Sequence, residues 1–398
     1  MMLEIHFLLL VAGIVLFASV IFAKLTSKIG VPVLIVFLFL GLLLDTRSFV
    51  EESVSNYTLV QSISIFALIT IMFSGGLGTE FNQIKPIWKE GISLASVGVI
   101  ITFLVVGLSV HMIFHMDLML SLLLGAMVSS TDAAAVFSIF KTQNMNIMNN
   151  LDNMLELESG TNDPMAYILV TSTIFLILHP QTSMITIIAN FIISLVVGAF
   201  GGYLLGKGFS WILTHVKLPL EGLYPVLLVS AAILSFAVTE HFHGNGFLAV
   251  YMAGVLIGNS KIKYKYTQLS FFEGFSWVMQ ITMFILLGAF TTISELAGFI
   301  IPSFIIAAIL IFIARPIAVC ISLLPFDVGW RSKAFVSWAG VKGAIPIVFA
   351  FYPLVAQIPE ASLLFNTVMI ITCTSVLIQG STLKFAAKHL KLLINYGD

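Results

Sequence analysis

Residues 118–140 read LMLSLLLGAMVSSTDAAAVFSIF, an apolar run of the length that crosses a bilayer as a helix, about 20 residues. Ser129, Ser130, Thr131 and Asp132 interrupt the run near its centre. Polar and small residues in the middle of such a run predict a discontinuous membrane helix. This stretch therefore indicates an all-α integral membrane protein with a helix break inside the bilayer.

The rest of the chain has the same membrane character. Of 398 residues, 59% are hydrophobic and 9% are charged, with a mean hydropathy of +1.08, whereas a soluble domain carries about 25% charged residues. The net charge is −1, so no excess of basic residues points to a nucleic-acid partner. We expect a single membrane domain over residues 1–383 and a short cytoplasmic tail over 384–398.

Division of the chain at polar and Gly/Pro-bearing breaks predicts thirteen membrane spans. They lie near residues 4–23, 30–44, 59–77, 91–114, 118–140, 153–178, 184–206, 222–240, 245–259, 270–293, 297–324, 333–355 and 364–383. Basic residues collect in cytoplasmic loops, and all 18 lysines and arginines except Arg47, Arg315 and Lys342 fall in loops on one predicted face. The distribution predicts an N-terminus outside and a C-terminus inside.

A second predicted break lies in the twelfth span, where residues 340–346 read GVKGAIP. It stands seven spans after the break in the fifth, so the two spans cross the bilayer in opposite directions. Opposed broken helices at matching positions are typical of inverted repeats with a transport site near the bilayer midplane. Lys342, Gly343 and Pro346 are therefore predicted to support the broken helices.

Ionisable side chains within a membrane span are costly and are by default functional. The sixth span carries a group of them, since residues 154–166 read MLELESGTNDPMA. Ser159 and Asp163 are four residues apart and share one helix face, next to Asn162. Helix depth places Asp163, Asp132 of the fifth span and Lys342 of the twelfth near one midplane. A carboxylate there is predicted to hold either a monovalent cation or a proton, one at a time, which is enough to couple the two fluxes.

Further residues near Asp163 have predicted supporting roles. Pro164 has no amide hydrogen, which frees a backbone carbonyl for a cation or water. Asp152 and Glu156 continue the face of Asp163 toward the cytoplasm and are predicted to form a negatively charged funnel. Arg315 has the same depth as Glu158, so the two are predicted to form a buried ion pair with a structural role, unless the arginine snorkels to the headgroups. These roles require no cofactor and no bound metal beyond the transported ion.

Five ordered motifs resemble those of NhaP-type monovalent cation/proton antiporters, relatives of the sodium/proton exchangers. They are SSTDAAAVF at 129–137, ESGTNDP at 158–164, FSGGLGTE at 73–80, ARP at 314–316 and GVKGA at 340–344. The likeness is greatest to the branch called cell volume regulation or potassium/proton antiporters, without the cytoplasmic regulatory tail that its members often carry. Lys342 departs from the pattern, because the family usually has arginine there.

The resemblance implies a thirteen-helix homodimer in the cell membrane that works by elevator-like alternating access. By this likeness Asp163 is the carrier, with Asn162, Ser159 and Thr131 beside it. It further implies one-for-one, electroneutral exchange of Na⁺, K⁺ or Li⁺ for protons, with a role in pH and cation homeostasis. Two alternatives stay open from the residues alone: a cation channel or uniporter, and a non-transporting membrane sensor with antiporter ancestry.

Overall fold

The computed structural model describes residues 6, 10, 12–22, 33–43, 54–143, 145–291 and 298–394. Over these residues the chain is helical, and the one β-bridge they contain joins Ile147 to Leu393. Apart from a single turn at Phe81–Ile84, the helices are α1 Ala12–Phe22, α2 Val33–Leu43, α3 Val54–Gly78, α4 Trp88–Phe114, α5 Leu118–Met127, α6 Ala133–Thr142, α7 Leu151–Leu178, α8 Met184–His215, α9 Leu223–His241, α10 Gly246–Gly258, α11 Lys265–Ala289, α12 Ile300–Ser322, α13 Trp330–Trp338, α14 Ala344–Val355 and α15 Ala361–His389. The predicted all-α class is confirmed for the described part of the chain.

Eight of these helices have the length and apolar composition needed to cross a membrane. They are α3, α4, α7, α8, α9, α11, α12 and α15. Shorter apolar helices of 10–17 residues are α1, α2 and α10, together with the half-helices α5 and α14. The chain is thus a multi-pass helical protein, while the number of crossings stays a prediction.

Helix ends differ from predicted span ends where the helix outruns the apolar stretch. The seventh predicted span ends at residue 206, yet α8 continues to His215. Hydropathy marks the segment that suits hydrocarbon, whereas a helix continues until a residue such as proline stops it. The thirteenth predicted span differs in the same way, because it ends at residue 383 and α15 runs to His389.

The segment after α15 is held against the loop before α7. Met148 N donates to Leu392 O over 2.9 Å, and Ile394 N donates to Asn146 O over 2.9 Å. These backbone bonds fix the described part of the predicted tail against the helical domain.

Two of the predicted spans are discontinuous helices, as the sequence indicated. The chain leaves helical geometry between α5 and α6 at residues 128–132, and between α13 and α14 at residues 339–343. By contrast α7 stays helical from Leu151 to Leu178 with Pro164 inside it. The two breaks and the middle of α7 form the region described next.

Close helix contacts surround this region, and glycine makes one of them possible. A Cβ on Gly76 of α3 would lie 2.5 Å from Tyr251 O, and one on Gly254 of α10 would lie 2.8 Å from Phe73 O. Small residues let membrane helices approach to backbone contact, which is how such helices associate where no hydrophobic force draws them together. Helix α10 is thereby fixed against α3 beside the site.

Candidate ion-binding site

The two helix breaks meet through backbone contact. The amide of Asp132, in the first break, donates a hydrogen bond of 2.9 Å to the carbonyl of Val341 in the second. The extended segments therefore pair with each other in the protein interior. This pairing gives partners to backbone groups that have no water to bond within a membrane.

Asp132 caps the half-helices that follow both breaks. Its Oδ1 accepts from Ala135 N of α6 over 3.2 Å, and its Oδ2 accepts from Ala344 N of α14 over 3.0 Å. A helix N-terminus carries positive partial charge, so one carboxylate compensates two positive ends. Gly343 allows this approach, because a Cβ there would overlap Asp132 Oδ2.

Lys342 compensates the negative partial charge at the C-terminal end of a half-helix. Its Nζ donates to Ser130 O over 2.7 Å and to Ser129 O over 3.3 Å, carbonyls that follow the C-terminal end of α5. The side chain is 1% exposed. A cation at a helix C-terminus is favourable for the same reason as an anion at an N-terminus. The breaks are thus neutralised by Asp132 on one side and Lys342 on the other.

Side chains of helix α15 form hydrogen bonds with the second break. Ser375 Oγ accepts from Lys342 N over 2.8 Å and donates to Gln379 Oε1 over 2.6 Å. Gln379 Nε2 in turn donates to Trp338 O, the last residue of α13, over 2.9 Å. Gln379 belongs to a widened π-helical turn at Val376–Gly380, and such turns are frequent at functional sites.

The predicted cluster around Asp163 is brought together. Asn162 Nδ2 donates to Thr131 Oγ1 over 2.7 Å, and Ser159 Oγ donates to Thr131 O over 2.8 Å. Asp163 is 3% exposed and Asn162 is fully buried. The Oδ1 atoms of Asp163 and Asn162 accept no hydrogen bond from the described residues. Two buried oxygens without donors are costly unless a ligand satisfies them.

A cavity of about 420 Å³ gives access to Asp163. Asp132, Ser159 and Asp163 line it, together with Glu156 and Lys141. Lys141 lies in the last turn of α6, on the predicted cytoplasmic side. The oxygen atoms in the cavity wall match the preference of hard cations for oxygen ligands.

The predicted funnel is found in part. Glu156 lines the cavity, and its Oε1 accepts from Thr79 Oγ1 over 2.8 Å. Asp152 is half-exposed, accepts from Asn153 N over 2.9 Å and is not among the residues that line the cavity. Asp152 lies on the same helix face as Glu156 but one turn nearer the start of α7, outside the cavity.

Glu158 and Arg315 are in contact. Arg315 Nη1 donates to Glu158 Oε1 over 2.5 Å and Nη2 donates to Oε2 over 2.9 Å. The two side chains are 1% and 3% exposed. A two-pronged pair of this kind is a strong form of charge-assisted bond. A Cβ on Gly340 would overlap Arg315 Nε, so the second break also makes room for this pair.

Both predicted prolines keep helical geometry. Pro346 lies in the first turn of α14, where a missing amide hydrogen costs nothing. The carbonyl of Pro164 accepts from Asn245 Nδ2 over 2.7 Å. The predicted role for a carbonyl freed by Pro164 stays a prediction.

Sequence reasoning missed a group beyond Asp163 on the other side of the site. Tyr167 lies one turn after Asp163 and lines a separate cavity of about 480 Å³. Its hydroxyl lies 3.5 Å from Glu240 Oε2, and its ring packs at 4.9 Å on Phe247 and at 5.7 Å on Tyr352. Along α7, Asp163 in the wall of one cavity and Tyr167 in the wall of the other are about 6 Å apart. The i+4 spacing from Asp163 was the signal that could have identified Tyr167.

Comparison with known proteins decides the family. Residues 13–389 match the family model described as sodium/hydrogen exchanger, transmembrane. The chain belongs to this family. The predicted membership is confirmed, and with it monovalent cation/proton exchange as the class of transport and a cell-membrane location.

Curated relatives and a solved structure agree with this assignment. The chain is 36% identical to the K(+)/H(+) antiporter NhaP of Alkalimonas amylolytica, over 98% of this chain and 67% of the relative. It is 34% identical to the K(+)/H(+) antiporter NhaP2 of Shewanella baltica, over 96% of this chain and 66% of the relative. The chain spans about two thirds of the length of these relatives.

The fold is similar to that of the sodium proton antiporter MjNhaP1 from Methanocaldococcus jannaschii. The TM-score is 0.83 at 22% identity, with 98% of this chain and 99% of the other covered. At this identity the likeness shows a shared fold.

Proposed function

We propose that this sodium/hydrogen exchanger family member exchanges K⁺, and Na⁺ less readily, for protons, with Asp163 as the shared carrier. Potassium is favoured because the curated relatives that match nearly all of this chain are named K(+)/H(+) antiporters. The observation that carries the carrier assignment is the buried Asp163 Oδ1, which has no donor among the described residues and belongs to a side chain that lines the cavity.

One carboxylate accounts for the coupling. A buried acid is stable when it is neutralised, either by a proton or by a cation, and the two compete for the same oxygen. Asn162 beside it is a neutral amide that is bonded to Thr131, so the pair of adjacent residues contributes one negative charge. Exchange of one cation for one proton therefore moves no net charge.

In this proposal the other acids near Asp163 have partners within the protein and do not carry the ion. Asp132 compensates two helix ends and Glu158 is paired with Arg315. We assign Asp132 a supporting role toward the ion and Glu158 with Arg315 a structural role. Lys342 balances the breaks and does not contact the cation.

The proposed transport cycle is alternating access of an elevator-like kind in a homodimer of thirteen-span subunits, with the N-terminus outside. The cavity that contains Asp163 is then open to the cytoplasm, and Tyr167 closes the other side. Support comes from the two cavities, which are separate and share no lining residue, although Asp163 and Tyr167 lie one turn apart on α7. A channel would need a continuous hydrated path, so this separation favours exchange over a channel.

The test is proton movement in everted membrane vesicles that contain a pH-sensitive dye. Addition of K⁺, Na⁺ and Li⁺ in turn should cause cation-dependent dequenching, with the largest response to K⁺. Asp163→Asn should abolish the response, while Asp152→Asn, a change to an acid that does not line the cavity, should retain it. Cation-dependent dequenching that persists in Asp163→Asn would remove the carrier assignment.

The stoichiometry is tested in proteoliposomes. One-for-one exchange should proceed at the same rate with and without an imposed membrane potential. A rate that follows the potential would contradict electroneutral exchange, even if Asp163 were the carrier.

A further inference from the structure

An apolar crevice distinct from both ion cavities lies between α4, α7 and α10. Its volume is about 620 Å³, within the range of about 300–1,000 Å³ typical of ligand sites. Apolar side chains make up most of its wall, among them Phe81, Ile84, Trp88, Leu157, Leu248 and Leu256. Along α10 it extends from residue 248 to residue 256, about 12 Å at 1.5 Å per residue. A narrow apolar slot of this length suits a hydrocarbon chain.

One exposed part of the crevice wall, which we call its mouth, has the opposite chemistry. It holds Lys85, the one charged side chain that lines the crevice. The ammonium of Lys89 lies 5.7 Å from the Trp88 ring centroid. Both lysines are exposed, and in the part of the chain that the structure describes neither forms an ion pair. The nearby acids Glu80 and Glu90 do not line the crevice.

The predicted position of the crevice in the membrane agrees with its division into an apolar wall and a basic mouth. Lys85 precedes α4 and Lys89 lies in its first turn, and both follow the third predicted span on the predicted cytoplasmic face. Tryptophan and lysine are enriched at the membrane interface, and the cytoplasmic leaflet holds anionic lipids that attract such lysines. The apolar part of the crevice then lies at the depth of the acyl chains.

We propose that this crevice binds an anionic phospholipid of the cytoplasmic leaflet, with one acyl chain against α10 and the phosphate beside Lys85 and Lys89. The apolar wall of the crevice matches the acyl chain of that lipid, and the two lysines at the mouth match its phosphate. A soluble organic anion has no acyl chain to bury in the crevice. A zwitterionic lipid has no net charge, so the two lysines would add little to its affinity.

Tyr251 links the crevice to the ion site. Its side chain lines both the crevice and the cavity that contains Asp163. Its ring lies directly on α7, because a Cβ on Gly160 would overlap Tyr251 Cε2. A lipid chain in the crevice therefore contacts the wall of the ion cavity, and transport should depend on the anionic lipid content of the membrane.

The test measures binding first, so that it does not depend on the transport proposal. Delipidated protein is titrated with phosphatidylglycerol or with phosphatidylcholine of the same chains, and bound lipid is counted by native mass spectrometry. A lysine near an anionic surface contributes about fivefold in affinity. Lys85→Gln with Lys89→Gln should therefore weaken phosphatidylglycerol binding by roughly 25-fold, and should leave phosphatidylcholine binding nearly unchanged.

Two further variants separate headgroup from chain. Leu248→Trp should narrow the slot and weaken both lipids, without any change to the lysines. The matched control is Lys207→Gln with Lys217→Gln, because Lys207 also lies near an aromatic ring, at 5.8 Å from the centroid of Tyr203, but away from the crevice. This control should bind phosphatidylglycerol as the wild type does.

Three results would overturn the proposal. One is equal phosphatidylglycerol binding by the wild type and the Lys85/Lys89 variant. Another is that inorganic phosphate stabilises the protein as much as phosphatidylglycerol does, which would make the mouth a site for any phosphate anion and not for a lipid. The third is a loss of dimer in Leu248→Trp with lipid binding intact, which would assign the crevice to a second copy of the chain.

Discussion

Replacement of Asp132 by asparagine tests whether one carboxylate stabilises two half-helices. Each of its oxygens accepts one backbone N–H, from Ala135 and from Ala344. An asparagine side chain at this position would keep a single acceptor oxygen, and its amide group would face the other N–H. The change therefore removes one hydrogen bond and the negative charge together.

The expected cost follows from these contacts. A charge at a helix N-terminus contributes about 0.3–1 kcal/mol, and about 2 kcal/mol in a partly buried site. A buried donor that loses its acceptor costs about 1–3 kcal/mol. For a side chain that is 5% exposed and serves two helix ends, we expect Asp132→Asn to lower the free energy of unfolding by roughly 3 kcal/mol.

The assay is equilibrium unfolding in mixed dodecyl maltoside and SDS micelles, followed by tryptophan fluorescence. Asp117→Asn is the matched control. Asp117 is an exposed N-cap whose Oδ1 accepts from Met119 N at 2.8 Å and from Leu120 N at 3.2 Å. Asparagine keeps that oxygen, so the control should cost less than about 1 kcal/mol. If Asp132→Asn costs no more than the control, the idea that Asp132 stabilises both breaks is wrong.

Three other predictions use the same measurement or the yield of folded protein. Arg315→Ala should lower the free energy of unfolding by about 3–5 kcal/mol, since it leaves the Glu158 carboxylate buried without its counter-charge. Glu158→Arg combined with Arg315→Glu should recover part of the yield lost in either single reversal, and no recovery would mean that the pair does not stabilise the fold. Gly343→Ala should sharply reduce the yield because its Cβ would overlap Asp132 Oδ2, whereas Gly208→Ala, with no atom within 4 Å, should fold as the wild type does.

Much of the architecture was predictable because the bilayer restricts the choices. A spanning segment must satisfy its own backbone hydrogen bonds, so apolar runs could be identified as helices. Polar and small residues at 129–132 and 340–343 marked the two breaks, and the structure has both. Hydropathy was less informative about helix ends, and α8 accordingly continues to His215, past its predicted span.

Part of the site followed from helix geometry in the same way. The spacing of Ser159 and Asp163 put them on one face, and equal depth suggested Glu158 and Arg315 as partners. Asp163 and Ser159 do line one cavity, and Glu158 and Arg315 do form two hydrogen bonds. The roles assigned to these residues stay predictions.

The sequence by itself determined which segments leave water, where two of them break and which acids lie within them, because each of these follows from local composition and helical periodicity. Only the tertiary structure decided what those acids contact. Asp132 accepts from an amide 212 residues away, at Ala344, and Tyr167 lines a cavity that the chain forms from distant helices. The physical reason is that a carboxylate has the same chemistry wherever it occurs, and its role depends on which donors and charges the folded chain brings within hydrogen-bond distance.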